Sequence, residues 1–218
     1  MNYKQIPFVL GLAALAFSCS DEPAEQPSSN NGKPVRFEIG AVASRSVTNA
    51  DNTTEFVSGD RIGIYGAKGA TGTNVPFIVG SDGQLQAEAG SGIFYNTSGG
   101  ATADFHAYYP YTAGQNGQSV SFTVGADQST PELFNASDFM TASTLGIATG
   151  SETPVKLIFQ HRLAIVQLEV VTSKGSAPQS ASLCGILGTA VWDWASDAVN
   201  AAGERVNVKM WNRGEDGL

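Results

Sequence analysis

Short segments of alternating apolar and polar residues recur along this chain from residue 35 onward, with turn-forming residues between them. The clearest segments are residues 35–39, 61–65, 77–79, 93–95, 103–109 and 120–124. Alternation at period two puts apolar side chains on one face of a β-strand, and many short strands in succession are typical of a sandwich. The 25 glycines supply turns between the segments. The sequence therefore predicts an all-β fold, an antiparallel β-sandwich.

The longest apolar run covers residues 155–171 and places apolar side chains at positions of both parities. A strand with this pattern is buried on both faces. Helix is the alternative because the run is long, but its β-branched residues and the flanking Pro154 and Gly175 favour a strand. Only residues 129–140 suggest a helix.

Residues 173–218 begin with a linker-like stretch, residues 173–178, and contain two further strand-like segments, residues 181–187 and 205–211. Two or three strands rarely fold alone. Either they complete the first domain or they begin a second β domain that is incomplete, and the second interpretation is favoured. We thus expect a first sandwich over residues 35–172 and the beginning of a second domain over residues 173–218.

The amino terminus has the pattern of an export signal. Lys4 precedes an uninterrupted apolar run over residues 8–17. Since a membrane-spanning helix needs about 20 apolar residues, this run predicts a secretory signal peptide over residues 1–18. Cys19 closes the run, and Ala16-Phe17-Ser18-Cys19 resembles the lipobox of bacterial lipoproteins. Cys19 is therefore the predicted lipid attachment site, which would carry palmitate and hold the protein on the outer membrane.

Residues 19–34 lack bulky apolar side chains and are expected to be a flexible acidic tether. Asp21 and Glu22 resemble the export signal of Bacteroidetes lipoproteins that reach the outer face of the outer membrane. Removing residues 1–18 removes one of 12 basic residues (Lys4) and none of the 20 acidic ones, so the net charge becomes 11 − 20 = −9. This charge argues against nucleic acid as a partner.

Three motifs occur in order after this start. They are residues 59–65 (GDRIGIY), 105–111 (FHAYYPY) and 157–164 (LIFQHRLA). With the lipoprotein start, they resemble the fimbrillin (Mfa-like) family of Bacteroidetes, the subunits of type V pili. The resemblance covers residues 1 to about 172. The remaining residues resemble only the start of the family's second domain.

The resemblance implies two transthyretin-like β-sandwich domains and assembly with other pilus subunits by strand exchange. In the family, a protease cuts after an Arg or Lys near the start of the first domain and so releases the lipidated segment with the first strand. Arg45 is the matching candidate here, and Arg36, within the strand, is the alternative. Arg45 could equally be a solvated loop charge. An incomplete second domain would lack a carboxyl-terminal strand to donate.

Residues that could carry chemistry are few. His106 and His161 are the only histidines, neither lies beside further metal-ligating residues, and hydrogen bonding is their expected role. Cys184, the only other cysteine, is expected to be a small buried residue. No nucleophile elbow is present. The sequence predicts no catalysis, no cofactor and no metal.

The predicted function is a fimbrial subunit or adhesin on the bacterial surface. The alternative is a non-polymerising surface lipoprotein that binds a host or bacterial glycan or protein. Tyr111, Trp192 and Trp194 are the aromatic residues that could stack on sugars from the surface.

Overall fold

The structure is a computed structural model that describes residues 32–40, 47–48, 54–171, 173, 175–176 and 178–212. β-Strands make up about half of these residues, and a five-residue helix and a single 3-10 turn (Thr97–Gly99) complete their regular structure. The elements are β1 (Phe37–Ile39), β2 (Val47–Thr48), β3 (Thr54–Glu55), β4 (Arg61–Lys68), β5 (Ala70–Thr71), β6 (Val75–Val79), β7 (Gln84–Ala87), β8 (Phe94–Tyr95), β9 (Thr102–Tyr109), β10 (Ser119–Thr123), α1 (Pro131–Asn135), β11 (Met140–Ala148), β12 (Val155–Leu157), β13 (Gln160–His161), β14 (Ser182–Asp193) and β15 (Ala198–Lys209).

The main sheet has eight strands in the order β12-β1-β7-β6-β4-β9-β11-β13. Its edge strands β12 and β13 are consecutive in the chain, and the Thr144 hydroxyl of β11 donates to the Lys156 carbonyl of β12 at 2.6 Å. The sheet therefore curls until its two ends approach each other. This confirms the predicted all-β sandwich class, with one difference, since β1 runs parallel to β12. The other neighbouring strands of this sheet are antiparallel.

The main core lies inside the curled sheet, where alternation fixes which side chains enter it. Ile62 and Ile64 of β4 point inward and are fully buried. Phe105 and Ala107 do the same on β9. Because side chains alternate across a strand, Tyr65 and Tyr108 face the opposite side of the sheet.

A second sheet, in the order β10-β14-β15, covers that opposite side. β14 pairs with β10 in a register that places Trp192 opposite Val120. Trp192 and Phe122 then pack with Tyr65 and Tyr108 in a second core cluster. Residues 182–209 thus share a sheet with a strand of the first predicted domain. The division of the chain into two domains at residue 172 remains a prediction.

The prediction of one strand over residues 155–171 is wrong. Only β12 and β13 form from this run, and residues 163–171 belong to no strand of the described structure. The Arg162 backbone N–H donates to the Phe139 carbonyl at 2.8 Å, and Leu163 packs against the second cluster. Beyond Leu163, residues 164–171 pair with neither sheet, and most of their apolar side chains are exposed.

Of the helix predicted over residues 129–140, only the five residues of α1 are helical. Thr130 caps it, because its hydroxyl accepts a hydrogen bond from the Leu133 backbone N–H at 3.3 Å. Pro131 at the first helical position has no N–H to satisfy.

The buried ring of Phe37 gives a direct test of the main core. Replacing Phe37 by Ala should lower the free energy of unfolding by about 3–5 kcal/mol, since it removes a fully enclosed aromatic side chain. Urea denaturation measures this difference. Leu145, which is 61% exposed, provides the control, and Leu145→Ala should change stability by less than about 0.5 kcal/mol. Equal effects of the two substitutions would contradict this account of the core.

Candidate functional site: the first strand and its neighbours

β1 occupies the place between β12 and β7 and is paired with both. Phe37 lies opposite Val155 on the parallel side and opposite Leu85 on the antiparallel side. Backbone hydrogen bonds of 2.8 Å continue at both ends of β1, from the Val35 N–H to the carbonyl of Ile93, just before β8, and from the Gly40 N–H to the Leu157 carbonyl of β12. Loss of this strand would leave an unpaired edge on each neighbour.

The inward side chains of β1 fill the core. Val35 is 6% exposed and Phe37 is 1% exposed, and Ile39 packs against the same cluster. The Phe37 ring meets the rings of Phe77 and Phe105 edge-on, with centroids 5.2 Å away in each case. This arrangement is favourable for aromatic rings. Removal of β1 would therefore open an apolar slot lined by aromatic side chains.

Glu38 of β1 and the residues just before the strand make exposed polar contacts. Glu38 lies 3.5 Å from the Lys156 ammonium, and Lys33 pairs with Glu152. The Arg36 guanidinium donates to the Glu152 backbone carbonyl. Exposed ion pairs contribute only about 0–1 kcal/mol each. β1 is thus held mainly by its apolar side chains and its backbone hydrogen bonds.

The two predicted processing sites differ in position relative to β1. Arg36 is exposed and stands immediately before the strand, and its carbonyl accepts a hydrogen bond from the Val155 N–H at 2.8 Å. Arg45 lies outside the described residues, beyond the carboxyl end of β1 in the sequence. Cys19 also lies outside them. A cut after Arg36 would leave Phe37–Ile39 attached to the rest of the protein, whereas a cut after Arg45 would detach the whole strand.

The second cluster joins the two sheets through aromatic rings. The Tyr108 hydroxyl lies 2.8 Å from Asn74 Oδ1 and 2.7 Å from the Thr112 carbonyl, and it accepts a hydrogen bond from the Thr112 N–H at 3.0 Å. Burial raises the pKa of Tyr108 to about 12. Burial is also the main cause that raises the pKa of Tyr65, and the neighbouring Tyr108 raises it further. Both phenols therefore stay neutral at ordinary pH and act as core residues.

Arg162 ties the second sheet to the main one, a role the sequence did not indicate. Its guanidinium lies 4.0 Å from the centre of the Trp192 ring, and its Nε donates to the Thr141 hydroxyl at 2.6 Å. Cation–π contacts of this kind stabilise most when they are desolvated, by about 2 kcal/mol. Trp192 is only 2% exposed beneath this cover.

The three aromatic residues predicted to stack on sugars do not share an exposed face. Trp192 is buried. Trp194 is half-buried, with its ring centre 4.8 Å from that of His106. Tyr111 is half-buried with the Arg61 guanidinium 4.7 Å from its ring centre. Of the three, Tyr111 and Trp194 retain partial access to solvent.

The histidines make the hydrogen bonds that the sequence led us to expect. His106 Nδ1 lies 2.8 Å from the Ser143 hydroxyl, and burial lowers the pKa of this imidazole. His161 Nδ1 lies 2.8 Å from Asp138 Oδ1, and this hydrogen bond raises the pKa of His161.

Other sequence expectations concern Cys184 and metal or membrane sites. Cys184 is exposed, so the prediction that it is buried is wrong; this end of β14 faces solvent. In the ranges that the structure describes, no group of three His, Cys, Asp or Glu side chains is placed to hold a metal ion. No helix in those same ranges has the length and apolar character needed to cross a membrane.

Comparison with known proteins places this architecture among bacterial surface proteins. Residues 48–215 match the model of the fimbrillin-like family. A solved structure described as a candidate cell adhesion protein from Bacteroides uniformis has a TM-score of 0.55 and 19% identity, covering 82% of this chain and 70% of that one. Another so described, from Bacteroides ovatus, has a TM-score of 0.58 and 19% identity, covering 83% and 73%. None of the curated proteins compared matches this sequence.

The family match makes the assignment specific, and the chain belongs to the fimbrillin-like family. This confirms the resemblance seen in the three sequence motifs. The protein is accordingly not an enzyme, and membership of the family supports a pilus-subunit or adhesin role at the cell surface or in a fimbrium.

The Asp138–His161 pair predicts a pH dependence of stability. Because the folded protein raises the pKa of His161, the stabilisation is fully present below the unfolded value of about 6.5 and is lost as pH rises through the higher folded value. Asp138→Asn should therefore destabilise the protein most below pH ~6.5, with a difference that shrinks at higher pH. Urea denaturation between about pH 5 and 9 measures this.

Asp197→Asn is the matched control, because Asp197 is 73% exposed and makes a long contact of 3.4 Å with Arg162. Its effect on stability should not vary with pH over the same range. A difference between wild type and Asp138→Asn that is constant with pH would contradict the assignment.

Proposed function

We propose that this chain is a pilus subunit that is exported as a lipoprotein and assembles by strand exchange after a protease removes its first strand. In this proposal, lipid on Cys19 delivers the protein to the outer membrane. Cleavage after Arg45 then releases the lipidated segment together with β1. The opened slot in the main sheet accepts a strand from another subunit.

The position of β1 is the observation that carries this proposal. It is a three-residue strand with two sheet neighbours, and its inward side chains are buried in the core. An extended peptide can replace such a strand, because backbone hydrogen bonds give affinity whatever the sequence and side-chain pockets select the occupant. Few other segments of a sandwich could leave without breaking the chain in the middle of the fold.

The choice of cleavage site follows from the same geometry. A cut after Arg36 would release Val35 but leave Phe37 and Ile39 in the slot. A cut after Arg45 leaves the last hydrogen-bonded residue, Gly40, on the released side. Arg45 is flanked by Ser44 and Ser46, small polar residues that suit a protease. The proposal therefore requires Arg45.

Limited trypsin digestion of the chain beginning at residue 20 tests this requirement. The expected product has Ser46 at its amino terminus and forms polymers that size-exclusion chromatography separates from the monomer. Arg45→Gln should prevent both results. Arg36→Gln is the control and should leave both unchanged. Cleavage at Ser46 that leaves a stable monomer would sink the polymerising function.

The lipid on Cys19 has its own test. When the full chain is made in a Bacteroidetes host with labelled palmitate, the protein should carry the label and partition into the membrane fraction. Cys19→Ala should abolish labelling. Cys184→Ala should leave it unchanged, since Cys184 is an exposed thiol in the folded part of the chain. Labelling that survives Cys19→Ala would refute the anchor.

The alternative of a non-polymerising lipoprotein that binds glycans has less support. Trp192 is buried beneath Arg162, so the aromatic face it would need lacks one of its three members. Tyr111 and Trp194 remain for such a role. This alternative stays a hypothesis.

A further inference from the structure

β10 lies at one end of the second sheet, so one of its two edges faces away from β14. The N–H of Val124, immediately after β10, donates to the Gly188 carbonyl of β14 at 2.9 Å. Backbone groups alternate in direction along an antiparallel strand, so the even-numbered residues of β10 bond to β14. The groups that point to the outer edge belong to the odd-numbered residues, which are Ser119, Ser121 and Thr123.

Two side-chain amides occupy this outer edge in the place of a neighbouring strand. Gln115 Nε2 donates to the Ser121 carbonyl at 3.0 Å, and Gln115 Oε1 accepts a hydrogen bond from the Ser121 N–H at 3.0 Å. Asn116 Oδ1 accepts a hydrogen bond from the Ser119 N–H at 3.0 Å. A neighbouring strand would offer Ser121 the same pair of donor and acceptor. We call the side chains of Gln115 and Asn116 the edge amides.

β10 has few of the other features that keep an edge strand from pairing. Residues 119–124 read Ser-Val-Ser-Phe-Thr-Val, without charge or proline, and β10 pairs with β14 in a continuous register. Uncharged segments of this composition associate readily through a free edge. β15, at the opposite edge of the sheet, carries Glu204 and Arg205 and shifts its register against β14. The protection of β10 therefore depends on the edge amides.

We propose that the edge amides close β10 against a second copy of this chain and so keep the uncleaved protein monomeric. The partner that they exclude is β10 of the second copy, paired antiparallel about Ser121. This inference goes beyond the proposed function and does not depend on it, because it concerns the chain with β1 in place.

β10 is complementary to itself in this arrangement. A two-fold axis through Ser121 places its N–H and carbonyl opposite the carbonyl and N–H of the same residue in the second copy. Ser119 then lies opposite Thr123 of the second copy, and their outward groups pair in the same way. Val120 and Phe122 stay on the buried side, because an axis perpendicular to the sheet leaves each face unchanged. Such a partner needs the same Ser121 groups that an edge amide occupies.

The edge amides hold this place because they belong to the same chain. Gln115 and Ser121 are six residues apart in the sequence, so the amide has a high effective concentration beside the strand, whereas a second copy has to arrive from solution. Just past β10, the Gly125 N–H donates to the Ser137 hydroxyl at 3.1 Å, which covers the next outward group. The surface open to a second copy is therefore short, and loss of Gln115 should give a weak dimer.

Analytical ultracentrifugation of the uncleaved chain beginning at residue 20 tests the proposal. Gln115→Ala frees both outward groups of Ser121 and should raise the dimer fraction about tenfold, the change that two neutral hydrogen bonds can give. Adding Asn116→Ala frees the Ser119 N–H and should raise the dimer fraction further. Gln118→Ala is the matched control, because Gln118 is exposed in the same loop and its side chain has no hydrogen bond to another described residue. It should behave like wild type.

The substitution Ser121→Lys identifies the surface of contact. In the two-fold arrangement Ser121 faces its own counterpart, so two ammonium groups there would repel each other. The Ser121 side chain is exposed, so the change should not disturb the fold, and Gln115→Ala combined with Ser121→Lys should be monomeric. Leu145→Lys is the control, since Leu145 lies on β11 and is 61% exposed, and it should not reverse the association. Circular dichroism verifies that every variant folds.

Amide hydrogen exchange provides a second measurement at the same residues. At low protein concentration, the Ser121 N–H of Gln115→Ala should exchange about tenfold faster than that of wild type, because its acceptor is lost. The Val120 and Phe122 N–H groups should keep their protection, since they bond to β14. At high concentration, protection should return at Ser121 and should also appear at Thr123.

The proposal is overturned if Gln115→Ala leaves the exchange of Ser121 unchanged, because the amide would then not cover the edge. It is equally overturned if Ser121 exchanges faster while the protein stays monomeric. Association that Ser121→Lys does not reverse, or that leaves Ser121 and Thr123 unprotected, would place the contact elsewhere and reject this surface. Association of Gln118→Ala to the same extent would have the same meaning. None of these outcomes bears on the trypsin test of the proposed function, which uses the cleaved chain.

Discussion

The curl of the main sheet depends on the parallel contact between β1 and β12. The other neighbouring strands of that sheet follow antiparallel connections, so without β1 the strand β12 would have no backbone partner on its inner side. Phe37 stabilises this contact, since its ring packs edge-on against the rings of both Phe77 and Phe105. One short strand thus provides both the closing hydrogen bonds and the central side chain of the core.

The second sheet depends on a different kind of contact. β4 and β9 bury side chains on both faces, with Ile62 and Ile64 inward and Tyr65 outward. The outward tyrosines need a cover, and Trp192 supplies it from β14, held in place by the Arg162 guanidinium. Because Arg162 directly follows β13, the same residue marks the end of the first sheet and the anchor of the second.

Alternation of apolar and polar residues was enough to predict central strands of the main sheet. Residues 61–65 and 103–109 alternate cleanly, and β4 and β9 cover both segments. The family could be predicted as well, because it depends on ordered motifs that are visible in the sequence. Alternation also predicted that residues 35–39 form a strand, although it did not reveal the parallel partner.

What could not be predicted depends on contacts between parts of the chain that are distant in sequence. Residues 155–171 have the pattern of a buried strand throughout, but only β12 and β13 form from them, and residues 163–171 join no strand. The burial of Trp192 is equally non-local, since its ring packs against Tyr65 and Tyr108 of the main sheet and lies under the Arg162 guanidinium. Cys184 shows the reverse, because a residue type that is usually buried lies at the exposed end of a long strand.

The exposed side chains between residues 165 and 171 leave apolar surface in water. Exposed apolar strands associate indiscriminately unless something restricts their partners. In the proposed assembly the restriction would be covalent, since β1 belongs to the chain whose slot it fills and a competing strand would have to arrive from solution. Lipid on Cys19 would hold that same segment at the membrane until the cut. One cleavage after Arg45 would then free the slot at the cell surface, where other copies are concentrated.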